Sequence, residues 1–160
     1  MNDNRFQEGG EHRFTLSKPT LDDPVIIVCP QCAGKATVVP DGEKQVKATC
    51  FACGFNATKP SRERSFHWYD ENPTDSYFGY DLWLRTDCIG HSLWAFNLKH
   101  LNFLESYVSA ALRVRTKISD WGWQYSSLAS RLPKWIKAGK NRDALLKAIN
   151  ELKAKAQQAC

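Results

Sequence analysis

"CPQCAGKATVVPDGEKQVKATCFACGF", residues 29–55, is the stretch whose reading decides the fold. Its four cysteines stand as Cys-x2-Cys, 17 intervening residues, then Cys-x2-Cys. A two-residue gap lets one tight turn present two sulfurs at the separation a tetrahedral metal–thiolate site requires, and a second such turn closes the tetrahedron. Pro30 and Gly34 fit the first turn. Gly54 follows the second pair, where a positive φ is usually wanted. Between and before them, "PVIIV", "ATVV" and "QVKAT" read as three short strands, with "PDGE" turning between two of them. The pattern predicts a zinc ribbon over residues 21–60, with one structural zinc ion on Cys29, Cys32, Cys50 and Cys53. A disulfide pair or scattered free thiols is the bland alternative. A thioredoxin-like reading is poor, because two pairs occur and no βαβ pattern surrounds them.

Working outward, the 160 residues are 42% hydrophobic and 12% aromatic, enough for a packed core. The longest apolar run, Val25–Cys29, is far short of the roughly 18 residues of a membrane helix. The opening "MNDNRFQEGGEHRF" lacks an apolar secretory core, so the expected compartment is the cytoplasm. That compartment also argues against disulfides. Residues 1–20 are polar and aperiodic and read as a flexible tail. Net charge is +5, and its distribution is uneven. Lys and Arg against Asp and Glu number 7 and 7 in residues 1–60, 4 and 6 in 61–100, and 11 and 4 in 101–160. Four thiolates with one divalent ion would bring the net to about +3.

The rest of the chain, residues 61–160, reads as a hairpin-plus-helices domain packed on the ribbon. "KPSRERS" (59–65) joins the two. Phe78, Tyr80, Leu82 and Leu84 alternate on one strand of a hairpin spanning 78–97, with Trp83 and Trp94 meeting on its other face. Asn97 caps a helix running to about Arg115, with Leu101, Leu104, Val108, Ala111 and Leu112 as its buried stripe. "TKISDWGWQYSS" is a loop, and "LASRLPKWIKAG" a short helix stopped by Gly139. Asn141 then caps a last helix whose apolar face is Leu145, Ala148, Ile149, Leu152 and Ala156. The expected class is α+β: an N-terminal four-cysteine ribbon, a β-hairpin, and two to three C-terminal helices.

The runs "YFGYDLWLRTDCIGHSLWAFNLKHLNFLESYVSAALRVR" and "SLASRLPKWIKAGKNRDALLKAINEL" resemble a family of small bacterial proteins described as containing a transcription factor IIB-type zinc ribbon. The Trp-Leu, Leu-Trp-Ala-x-Asn and Leu-Pro-Lys-Trp elements carry the resemblance. It implies nucleic acid or transcription machinery as a partner, although ribbons serve protein contacts as readily. The chain is also similar to immunity proteins that accompany secreted antibacterial toxins, nucleases among them.

No phosphate-cradling glycine loop, Gly-x-Ser-x-Gly or His-Glu-x-x-His occurs, so no enzyme and no small-molecule substrate are expected. Asp70, Glu71 and Asp75 would serve a metal-dependent nuclease only with further groups at a recognisable spacing. Cys88 and His91, with His67 or His100, raise a second metal site against the plainer reading of a hairpin turn. Cys160 reads as a free thiol.

Two surfaces compete for a macromolecular partner. "HWYDENPTDSYFGYDLW", residues 67–83, holds six aromatic side chains and four carboxylates but no Lys or Arg. Bases stack on aromatics interleaved with cations, whereas carboxylates repel phosphates. Trp68, Tyr69, Asp70, Glu71, Asp75 and Tyr77 therefore suit a protein partner with a basic face, such as the DNA-binding face of a nuclease. The expected function is a non-enzymatic inhibitor or immunity protein. The alternative is a nucleic-acid-binding regulator using Arg131, Lys134, Trp135, Lys137, Lys140 and Arg142, which also read as an ordinary amphipathic helix.

Overall fold

A computed structural model of the chain describes residues 18–62, 73–109 and 132–158, together with the backbone of Arg5–Gln7 and Leu112–Val114. The class is α+β, with strands first and two longer helices after them. Strands β1 (Arg5–Gln7), β2 (Val25–Val28), β3 (Lys35–Asp41), β4 (Gln45–Thr49) and β5 (Asn56–Pro60) precede a hairpin of β6 (Leu84–Cys88) and β7 (His91–Ala95). Helix α1 (Leu98–Ser109), strand β8 (Leu112–Val114), the short helix α2 (Lys134–Lys137) and helix α3 (Arg142–Gln157) complete the order. No helix among the described residues is long and apolar enough to cross a membrane.

Strands β2-β3-β4-β5 form one antiparallel sheet, four strands where the sequence reading expects three. The fourth, "NATKP", has no apolar alternation and is exposed except at Ala57. It is held by its ladder to β4, and as an edge strand carrying Lys59 and Pro60 it has no apolar face to reveal it. Residues 59 and 60 thus belong to the sheet rather than to a linker. Inside it, Ala36 and Val38 of β3 and Val46 and Ala48 of β4 alternate inward.

β2 is buried at three successive positions, Val25, Ile26 and Ile27, as a continuous apolar run predicts for a strand covered on both faces. Its free edge is paired by the second half of the chain. The Ile26 amide donates to the Phe96 carbonyl at 2.9 Å, the Trp83 amide to Ile26 at 3.1 Å, and the Val28 amide to Asp81 at 2.8 Å. One buried core therefore runs from Val25 through Leu84, Phe96 and Leu104 to Ile149 and Leu152.

The hairpin is shorter than expected, starting at Leu84 rather than residue 78. Residues 75–80 instead close a compact loop on Asp75, so the alternation of Phe78, Tyr80 and Leu82 arises in a loop. Trp94 stands opposite Arg85 and packs edge-on to Phe96. Trp83 does not meet it, because its ring lies under Lys155 Nζ at 4.9 Å and its indole N–H donates to the Lys155 carbonyl at 3.4 Å. Helix α1 stops at Ser109, short of Arg115, since Leu112–Val114 pairs in parallel with Arg5–Gln7. That pairing also takes Arg5–Gln7 out of the expected flexible tail. All five expected apolar positions of α3 are buried.

Candidate metal centre and partner surfaces

The two Cys-x2-Cys turns have the same backbone construction. In the first, the Cys29 amide donates to the Gly34 carbonyl and the Ala33 amide to the Cys29 carbonyl. In the second, the Cys50 amide donates to Phe55 and the Gly54 amide to Cys50. The fifth residue of each turn has positive φ, 61° at Ala33 and 79° at Gly54. The need for a left-handed residue is met as expected at Gly54, while the first turn meets it with Ala33 and not with Gly34. Gly34 has another role: a Cβ there would come within 3.3 Å of Cys32 Sγ.

The turns bring all four sulfurs within 4.8 Å of one another. Cys29 Sγ lies 3.6 Å from Cys53 Sγ, and Cys32 Sγ 3.6 Å from Cys50 Sγ. Metal–sulfur bonds of about 2.3 Å in a tetrahedron put sulfurs about 3.8 Å apart, so the donor set fits a metal ion. All four thiols are unbridged. Backbone amides point at the sulfurs, Gln31 and Cys32 at Cys29 Sγ and Gly34 at Cys32 Sγ, each at 3.4 Å. Burial pushes the Cys29 thiol up, but those amides and the neighbouring thiols outweigh it and bring it down to about 7. At Cys53 the Phe55 amide pulls the other way, yet burial and the three other sulfurs push the thiol up to about 12. The first thiolate forms readily and the last resists. A bound cation removes that conflict by neutralising the shared charge.

Among the described residues these cysteines are the only cluster of three or more metal-ligating side chains. Cys88 and His91 face each other in the hairpin register but have other partners. The buried Cys88 thiol points to the Ala144 carbonyl at 3.8 Å, and the exposed His91 ring lies on Trp135. His100 is fully buried, and its Nδ1 accepts the Phe96 amide at 3.1 Å. His67 and Cys160 lie outside the described residues.

Of the expected acidic, aromatic surface, Trp68, Tyr69, Asp70 and Glu71 lie outside the described residues. Asp75 and Tyr77 are placed inside, at 2% and 6% exposure, which corrects the expectation that they face a partner. One Asp75 oxygen accepts the amides of Tyr77 (2.9 Å) and Phe78 (2.7 Å), and the other accepts Tyr80 (2.7 Å). The loop so formed stacks Phe78 on Tyr80 and sets Tyr80 edge-on to Phe55 of the second cysteine turn. These aromatics join the two halves of the molecule.

In the basic segment, Lys134 and Lys140 are exposed, Lys137 and Arg142 half-buried, and Arg131 lies outside the described residues. Trp135 is half-buried, stacked with His91 at 4.6 Å and 7°. The Asn141 side-chain amide donates to the Trp135 carbonyl at 2.8 Å, so Asn141 sits at the start of α3 without capping it through its side chain. Helix α1 is capped by Asn97, as expected, and also by Asp23, which accepts the amides of Leu98 and Lys99. No local pattern ties Asp23 to a helix so far along the chain. The same is true of Lys35, whose ammonium donates to the Ala156 and Gln158 carbonyls at the end of α3.

No protein-family model, curated protein or solved structure matches this chain.

Proposed function

We propose that this chain is a zinc-ribbon protein that binds a macromolecular partner and catalyses no reaction. The observation that carries the reading is the closed donor set, with four thiols facing one another within 4.8 Å. Four protein thiolates fill the tetrahedron of a zinc ion and leave no position for water or substrate, which is the pattern of structural sites. Zinc bound there supplies folding energy to a small sheet. The binding role is supported by what surrounds the site among the described residues: a scaffold of short strands and helices.

Two partner classes remain in play. An inhibitor or immunity protein that covers a basic face, for instance that of a toxin nuclease, would use Trp68, Tyr69, Asp70 and Glu71. A nucleic-acid-binding regulator would use the basic segment. A specific observation favours this second reading: the segment with exposed Lys134 and Lys140 carries Trp135, which stacks in parallel on exposed His91.

The test is a tagged pull-down from the native host, with and without nuclease treatment, alongside metal analysis of the purified chain. One zinc per chain and a stoichiometric protein partner that survives nuclease support the inhibitor form, provided Asp70→Lys with Glu71→Lys releases it. Nucleic acid recovered only without nuclease supports the second form. A metal-free, folded protein overturns the zinc-ribbon reading.

A further inference from the structure

The tip of the β6–β7 hairpin is built at a conformational cost. Its two turn residues, Ile89 and Gly90, both have positive φ, 54° and 75°. Such turns favour Asn-Gly, and a β-branched side chain in the left-handed region is strained. Ile89 is nevertheless 47% exposed, so its side chain does not offset the strain by filling the core. Backbone strain held at an exposed position is a mark of functional sites.

Immediately after the turn, exposed His91 lies parallel to Trp135 with ring centres 4.6 Å apart. The stack is held firmly. Trp135 belongs to α2, its carbonyl is bonded by Asn141, and the Cys88 thiol at the other side of the turn contacts Ala144 in the first turn of α3. The tip is thereby seated against the segment that carries Lys134, Lys137, Lys140 and Arg142. Residues 132–142 contain no carboxylate, and among the described residues the exposed acids near the tip are Asp87 and Asp143. Burial raises the Cys88 thiol, and Glu151 of α3 is close enough to raise it further.

We infer that this tip is a binding site for single-stranded nucleic acid, a proposal that rests on the nucleic-acid form of the function above. An unpaired base extends the His91–Trp135 stack on the outer face of His91. Ile89 packs against the neighbouring base or sugar, and Lys134 and Lys140 meet phosphates. Stacking on a planar ring beside lysines is how single strands are held without sequence readout. A duplex keeps its bases stacked on one another and gains nothing from the platform. An acidic polypeptide would satisfy the lysines and leave the stack unused.

The experiment uses the full-length zinc-loaded chain and fluorescein-labelled oligo(dT) of about 20 nucleotides, longer than a typical single-strand site. Anisotropy is read at about 50 and 200 mM salt. Wild type is expected to bind, with His91→Ala about 5- to 10-fold weaker. Lys134→Glu with Lys140→Glu should weaken binding further and flatten the salt slope by at least about 1.4, since each phosphate contact contributes about 0.7 for single strands. Ile89→Asn should weaken binding while keeping or raising the melting temperature, which separates a lost contact from a damaged fold.

Absence of binding by folded wild type at low salt overturns the proposal. So does equal affinity of His91→Ala and Ile89→Asn with wild type, or equal competition by polyglutamate. In each of those cases a nuclease-resistant partner in the pull-down still leaves the macromolecule-binding function standing.

Discussion

Replacing Asp75 with alanine tests whether the acid of the aromatic segment serves the fold or a partner. The carboxylate is 2% exposed and accepts three backbone amides at 2.7–2.9 Å. In Asp75→Ala the Tyr77, Phe78 and Tyr80 amides lose their acceptor in a buried loop. An unsatisfied buried donor costs about 1–3 kcal/mol, and some water will enter the vacated space, so the expected loss is about 3–6 kcal/mol. Against a typical total of about 5–15 kcal/mol that is a severe defect. Asp75→Asn should be milder, because one oxygen remains, although its new amide faces either Tyr80 or the Tyr77–Phe78 pair. Urea unfolding of the zinc-loaded protein, followed by tryptophan fluorescence, measures both variants. If Asp75→Ala stays within about 0.5 kcal/mol of wild type, the range of an ordinary surface substitution, the capping argument is refuted. A partner-facing role for Asp75 would then return.

Gly54→Ala should cost about 1 kcal/mol, because its φ of 79° suits glycine although a Cβ there would meet nothing. Ala33→Gly at the equivalent position should be neutral or stabilising by up to about 1 kcal/mol in the same urea assay. His100 makes one contribution to the pH dependence of stability. Burial lowers its folded pKa from 6.5 to about 3, so the folded state resists protonation. Its stabilising contribution is complete above pH 6.5 and is lost as pH falls toward 3, by about 1.4 kcal/mol per unit. Wild type should therefore lose about 2 kcal/mol more than His100→Asn between pH 6.5 and 5, and parallel pH profiles would contradict this. Asp23→Ala, which removes the acceptor for two α1 amides, should cost about 1–2 kcal/mol and lower the thermal midpoint. Chelation of the metal should reduce amide exchange protection in α3 as well as in the β2–β5 sheet. Loss confined to the sheet would show that the halves unfold independently.

What could be read from the sequence was whatever local chemistry specifies. The two Cys-x2-Cys turns depend only on spacing and a left-handed fifth residue, and their geometry follows. Helix α3 follows as well, since its apolar stripe repeats over four turns. Asn97 at the start of α1 is a local cap and was equally legible. Two of the misreadings share one origin, in that long-range pairing outweighs local pattern, and a third comes from a side chain that caps its own loop. "NATKP" becomes a strand because β4 offers an edge. The alternation in 78–82 reads as a strand until Asp75 gathers three amides and curls it into a loop. Helix α1 ends early where Leu112–Val114 finds Arg5–Gln7. An acidic, aromatic composition likewise says nothing of which carboxylate turns inward.

The links between the halves explain why a four-thiol site at the edge of a small sheet matters to the whole chain. β2 leads directly into Cys29, and its free edge is paired by residues 81–83 and 96. Lys35 follows the first cysteine turn, its carbonyl lies 3.8 Å from Cys50 Sγ, and its ammonium closes the last carbonyls of α3. Phe55, after the second turn, meets Tyr80. Each cysteine turn thus continues into a residue that contacts the second half of the structure, Lys35 at the end of α3 and Phe55 at Tyr80. The hairpin tip with Ile89 and His91 is supported in turn by α3 through Ala144 and by Trp135. A strained, exposed turn persists only where its surroundings over-determine it. Here those surroundings reach back through α3 and Lys35 to the four cysteines, so a metal held by them would anchor the proposed binding tip.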